Sequence, residues 1–113
     1  MRRLLFAALL FQVSLLVPVA GLAEEEVPEY KLVLKNHKFM PAEITIPADK
    51  KVRFVIENRD DTPDEFDSRD LNREKVVMGN SKGMVYIGPL KPGRYKFRGE
   101  YHEATAQGVV IVK

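Results

Sequence analysis

The sequence contains no cysteine and no tryptophan, and only two histidines among its 113 residues. Without cysteine there is no thiolate nucleophile, no iron–sulfur ligand set and no copper–thiolate bond. Disulfides are excluded as well, so a domain of this size must hold together on its apolar core alone, with a modest margin. An excess of charge of one sign is also lacking. Lys and Arg together number 18 and Asp and Glu 16; with Arg2 and Arg3 set aside, sixteen bases face sixteen acids from Glu24 onward. A nucleic-acid surface needs Lys and Arg in excess on one face, and nothing here points to one.

Long apolar runs are absent except at the start, MRRLLFAALLFQVSLLVPVAGLA. Two arginines, an apolar stretch from Leu4 to Val17 and the small residues around Gly21-Leu22-Ala23 have the pattern of a secretory signal. The run is too short and too poorly flanked for a stable membrane span, although an uncleaved N-terminal anchor is the alternative. The expected organisation is a signal peptide over residues 1–23, a flexible acidic leader over 24–30 and one domain over 31–113. The expected location is the periplasm, with no membrane span once the signal is cleaved.

From Tyr30 onward the chain reads as short strands between turns. YKLVL, AEITIPA, KVRFVIEN, MVYIGPL, RYKF and GVVIVK alternate apolar and polar residues or are apolar throughout, with Pro and Gly between them. That spacing predicts an all-β sandwich or barrel of about seven to eight strands with Greek-key connections. Helix is suggested only at Ser68–Lys75, where helix formers follow a serine.

The polar residues gather in three connections: Asn36–Pro41, Asn58–Asp70 and Gly99–Gln107. In a Greek key, alternate connections emerge at one end of the sandwich, so these three are expected to meet. Together they carry His37, Met40, Asp64, Glu65, Asp67, Glu100, His102 and Glu103. Oxygen donors with one or two imidazoles suit iron, manganese, zinc or copper(II), and a thioether from Met40 tilts the set toward copper. Taken singly, each has a plainer reading: His102 as a hydrogen-bonded loop residue, DDTPDEF as a solvated turn, Met40 as a core plug. Tyr95, Phe97 and Gly99 share the core face of one strand, so the inward position just before the last loop has no side chain. Hydrolytic chemistry finds no support, since there is no nucleophile elbow, no phosphate loop and no carboxylate pair with separated roles.

The runs FMPAEITIPADKKVRFVIENRDDTPDEFDS, KPGRYKF and YHEATAQGVVIVK resemble the cupredoxin family. More narrowly, those runs resemble the EfeO-type cupredoxin-like domain of exported bacterial iron-uptake proteins, and DEFDSRDLNREKVV and GPLKPGRYKFRGEYHEATAQG resemble the small FtrB-type component of ferrous-iron transport systems. The resemblance covers about Lys31 to Lys113 and implies a departure from the blue-copper site. Asp64 stands where that site has a histidine, Gly99 where it has a cysteine, and Ala104–Gln107 offer no methionine. It implies instead a carboxylate-rich site of Met40, Asp64, Glu65, Asp67, Glu100 and His102, with His37, Glu74 and Glu103 as further candidates and Thr105 or Gln107 in support. Copper(II) or iron is the implied cargo or cofactor, with an iron permease or another periplasmic uptake component as partner. Oxidation of ferrous iron is the activity that the resemblance leaves open for such a site. The reading from a different class is a metal-free docking subunit of a membrane transport complex.

Overall fold

Strand β4 (Val52–Asn58) shows how alternation builds the molecule: Val52, Phe54, Ile56 and Asn58 are buried while the residues between them are half-buried. A strand whose alternate residues are apolar buries one face against a second layer. The computed structural model describes residues 26–113, so the expected signal segment lies outside the described residues. Among the described residues nine strands form two sheets, and the expected all-β sandwich is what they adopt. The first sheet has the order β2-β1-β4-β7, with β1 at Glu29–Lys35, β2 at Lys38–Met40 and β7 at Ser81–Ile87. The second has the order β3-β9-β8-β5-β6, with β3 at Glu43–Ile46, β5 at Asp64–Ser68, β6 at Arg73–Val77, β8 at Gly93–Gly99 and β9 at Gln107–Val112. β1 runs parallel to β4 and β3 parallel to β9; the other pairings are antiparallel.

Leu32, Leu34, Phe54 and Ile56 from the first sheet meet Ile46, Phe66, Val110 and Val112 from the second, all nearly inaccessible. Toward one end the core becomes aromatic. Phe39 and Phe66 each approach Phe97 with ring centroids 5.1 Å apart, and Phe66 also meets Phe54 edge-on at 6.4 Å. Edge-to-face pairs at such distances add to the burial of the rings themselves. Phe39, Phe66 and Phe97 follow or precede His37, Asp64 and Gly99 by two residues. The aromatic group therefore forms the floor of whatever those three positions build.

Three expectations about the elements need correction. The tract Ser68–Lys75 is not helical: β5 ends at Ser68, a turn follows, and β6 begins at Arg73. Ser68 instead donates through Oγ to the carbonyl of Lys96 at 2.6 Å and accepts from the Leu71 amide at 3.0 Å, which ties a turn rather than starting a helix. The connection Asn58–Asp70 is not all loop, because Asp64–Ser68 pairs with both β6 and β8. Likewise Lys38–Met40 is a short strand within the first polar connection. β1 opens at Glu29, inside the stretch 24–30, and the Arg53 amide donates to the carbonyl of Pro28. Among the described residues no helix is long and apolar enough to cross a membrane.

Candidate metal centre at the loop end of the sandwich

Asn36-His37 is the two-residue turn between β1 and β2, and both residues are left-handed, with φ of 52° and 55°. Two positive φ values mark the type I′ turn whose twist suits a hairpin, and Asn and His tolerate it better than most. The turn is held from below by Asp60. Its Oδ1 accepts the Asn36 amide at 2.7 Å and its Oδ2 the His37 amide at 3.0 Å. Asp60 is itself placed by the buried Asn58, whose side-chain oxygen accepts the Asp60 amide and whose Nδ2 donates to the carbonyls of Thr62 and Val77. Burial pushes the Asp60 carboxyl up, but the amides of His37 and Asn36, with the His37 and His102 rings nearby, outweigh it. The group is held below its ordinary value.

On the other side stands Asp64, the first residue of β5 and only 2% exposed. Its Oδ1 accepts the amides of Glu65 at 2.7 Å and Tyr101 at 3.0 Å, and its Oδ2 lies 2.9 Å from His102 Nδ1. A Cβ at Gly99 would lie 2.5 Å from that same Oδ2 and 2.8 Å from the Ala106 Cβ. The carboxylate thus fills the space that a side chain at position 99 would take. Gly99 is extended, with φ −89° and ψ 108°, so it is the room and not the backbone that calls for glycine here.

His102 ends a short 3₁₀ turn, Glu100–His102, and the Ala106 amide donates to its carbonyl at 2.8 Å. Its ring stacks on that of His37, with centroids 3.6 Å apart and planes 11° from parallel. The two imidazoles are partly open to solvent, at 42% for His37 and 26% for His102, while Asp64 beneath is not. His37 Nδ1 lies 3.4 Å from Asp60 Oδ2, long for a hydrogen bond but close for a charge pair.

Of the residues expected from sequence, the structure brings His37, Asp64 and His102 together, and it adds Asp60. Glu65 and Glu100 form a separate pair on the outward side of β5. A hydrogen bond that the protonated Glu65 donates to Glu100, then burial and the charges of Glu100, Glu74 and Asp67, raise the Glu65 carboxyl to about 7. Asp67 also faces outward, where Arg98 holds it at 3.0 Å, and the same arginine reaches Glu103 at 3.0 Å. Glu74 is exposed on β6 opposite Asp67. Met40 lies opposite Val33 and is half exposed, facing away from the core that Phe39 enters. Gln107 and Thr105 donate to the carbonyls of Glu103 and His102. A groove of about 660 Å³ on the outer face of the second sheet, lined by Asp67, Asp70, Arg94, Lys96 and Arg98 among others, includes neither histidine.

Two imidazoles offer donors that suit copper, zinc or iron, whereas the oxygens of Asp64 are already engaged. Among the described residues no three His, Cys, Asp or Glu side chains converge on one point, so a metal here has only the two imidazoles to draw on, and their parallel rings must open to share it.

Fold and loop geometry define a cupredoxin-like sandwich with its histidines at the loop end. The chain belongs to the family of cupredoxin-like domains, which it matches over residues 4–112. It is 44% identical over 88 residues to the uncharacterized protein RP394 of Rickettsia prowazekii (strain Madrid E), covering 78% of this chain and 70% of that one. Among solved structures it is similar to a copper binding protein in the apo form, with a TM-score of 0.66 and 20% identity over 75% of this chain and 86% of that one. It is also similar to auracyanin A, a blue copper protein of Chloroflexus aurantiacus, with a TM-score of 0.67 and 14% identity over 78% of this chain and all of that one.

Proposed function

We propose that this chain is an exported metal-binding protein that holds copper at His37 and His102 and serves iron uptake. The nearness of the two imidazoles, drawn from separate loops and each set against a carboxylate, carries the reading; one ion shared by both requires the rings to turn out of their parallel stack. An aromatic floor and a buried carboxylate hold the loops that bear the rings, while the rings themselves reach solvent and can exchange a metal. Imidazole nitrogen suits copper well, and without a thiolate the centre is not a blue-copper one. Copper bound there would supply one-electron redox chemistry. The chain's own part is to fix the rings and keep the Asp64 side dry. The place in iron uptake, periplasmic location and a permease partner rest on the resemblance of DEFDSRDLNREKVV and GEYHEATAQG to the iron-uptake components. Iron is then the substrate or cargo.

A second reading has one observation in its favour. The absence of three converging ligands among the described residues suits a metal-free sandwich that docks on a transport complex. Calorimetric titration of the purified protein with copper(II), ferrous iron, manganese and zinc separates the two. The expected result is one copper per chain, bound more tightly than the other three metals and lost in His102→Ala. No stoichiometric binding and no thermal shift with any of the four would leave the docking subunit.

A further inference from the structure

Building on the copper reading, we infer that Asp64 is a positioning residue and not a ligand. It holds His102 with the proton on Nδ1, so that Nε2 is the donor atom presented to solvent.

Three donors already face the Asp64 carboxylate, and one position on Oδ2 has none. Oδ1 receives two amides, from Glu65 and Tyr101, and Oδ2 faces His102 Nδ1 at 2.9 Å. An ionised carboxylate only accepts, so the ring nitrogen across from Oδ2 carries the hydrogen. In a neutral imidazole the other nitrogen, Nε2, then keeps its lone pair. Asp64 cannot turn to reach a metal without abandoning three donors inside a site where it is 2% exposed. Gly99 is what lets the carboxylate lie there, since any Cβ at that position would strike Oδ2. The residue that stands in for a histidine of the blue-copper pattern has therefore taken the volume of the missing cysteine side chain, and from there it orients the remaining histidine. A carboxylate behind a metal-bound imidazole fixes its tautomer and raises its basicity.

Asp64→Asn is the informative variant, because the shape is kept. The two amides on Oδ1 demand an acceptor there, so the amide oxygen takes that place and the NH₂ group turns toward His102. Nδ1 must then accept, and the proton moves to Nε2.

The test is long-range ¹H–¹⁵N NMR of the metal-free protein in mildly alkaline solution, above the ordinary imidazole value of about 6.5. The wild type should show His102 protonated on Nδ1 with a lone-pair Nε2, and Asp64→Asn should reverse the two. Copper(I), which is diamagnetic, is then added without oxygen. It should shift Nε2 of His102 and leave the Nδ1 proton in place, and Asp64→Asn should bind it roughly 10–100-fold more weakly. A wild-type His102 protonated on Nε2, or one that binds copper(I) through Nδ1, overturns the assignment without needing a variant. If the tautomers are as stated but copper(I) does not bind, the metal reading fails and the positioning role of Asp64 stands.

Discussion

Substituting Gly99 by alanine adds one methyl group, and the structure says where it goes. The new Cβ falls 2.5 Å from Asp64 Oδ2, 2.8 Å from the Ala106 Cβ and 3.0 Å from the Asp64 Cγ. These approaches are closer than atoms tolerate, and both neighbours are buried, at 2% and 0% exposure. The backbone at Gly99 suits any residue, so no cost arises from φ or ψ. Overpacking of this kind costs about 1–3 kcal/mol. If the carboxylate yields instead, its charge-assisted bond to His102 goes, at about 1.5–3 kcal/mol. Gly99→Ala is therefore expected to destabilise by about 1–3 kcal/mol. At about 4–8 °C per kcal/mol for a domain of this size, the midpoint should fall by roughly 4–24 °C. Thermal and urea unfolding measure it, and the double variant with Asp64→Ser supplies the control. Shortening Asp64 removes the overlap with its carboxylate and leaves the one with the Ala106 Cβ, so the alanine should cost less in that background, a coupling between touching residues. A Gly99→Ala protein within about 0.5 kcal/mol of the wild type would refute the packing of Asp64 against position 99.

Other consequences concern residues around the centre. Glu65 has its carboxyl raised from 4.5 to about 7, chiefly by its hydrogen bond with Glu100. The folded state thus binds a proton that the unfolded chain releases, and stability falls as pH rises from about 4.5 to 7. Glu65→Gln should flatten that slope in melts taken across the same window, and an unchanged slope would dismiss the pair as its source. Asp67→Ala should leave copper affinity within twofold while costing about 1–3 kcal/mol, since the carboxylate is buried although its partner Arg98 is only part buried. A tenfold loss of copper affinity in that variant would return Asp67 to the ligand set.

Much of this architecture can be read from the chain, and the exceptions have physical causes. Strands with apolar residues on alternate positions, such as Val52-Phe54-Ile56, announce their inward face. β5 does not, because Asp64 and Ser68 are inward yet polar, leaving Phe66 as its one apolar residue. β2 is three residues long and β6 is rich in helix formers, so each follows its neighbours and not its own propensity. The meeting of His37, Asp64 and His102 is legible from connection topology alone. Asp60 escapes such a reading, although Asn58-Arg59-Asp60 carries the Asx-turn pattern that places it. The outward pointing of Glu65 and Asp67 follows from strand alternation, which a reading of that stretch as loop cannot use.

The central claim is that two imidazoles from two loops hold one copper. Electron spin-echo spectroscopy of the protein loaded with one equivalent of copper(II) tests it most directly, since it counts coordinated imidazoles by their remote nitrogens. Two imidazoles in the wild type and one in each of His37→Ala and His102→Ala is the predicted result. A spectrum without imidazole, or one that neither substitution changes, would contradict the site.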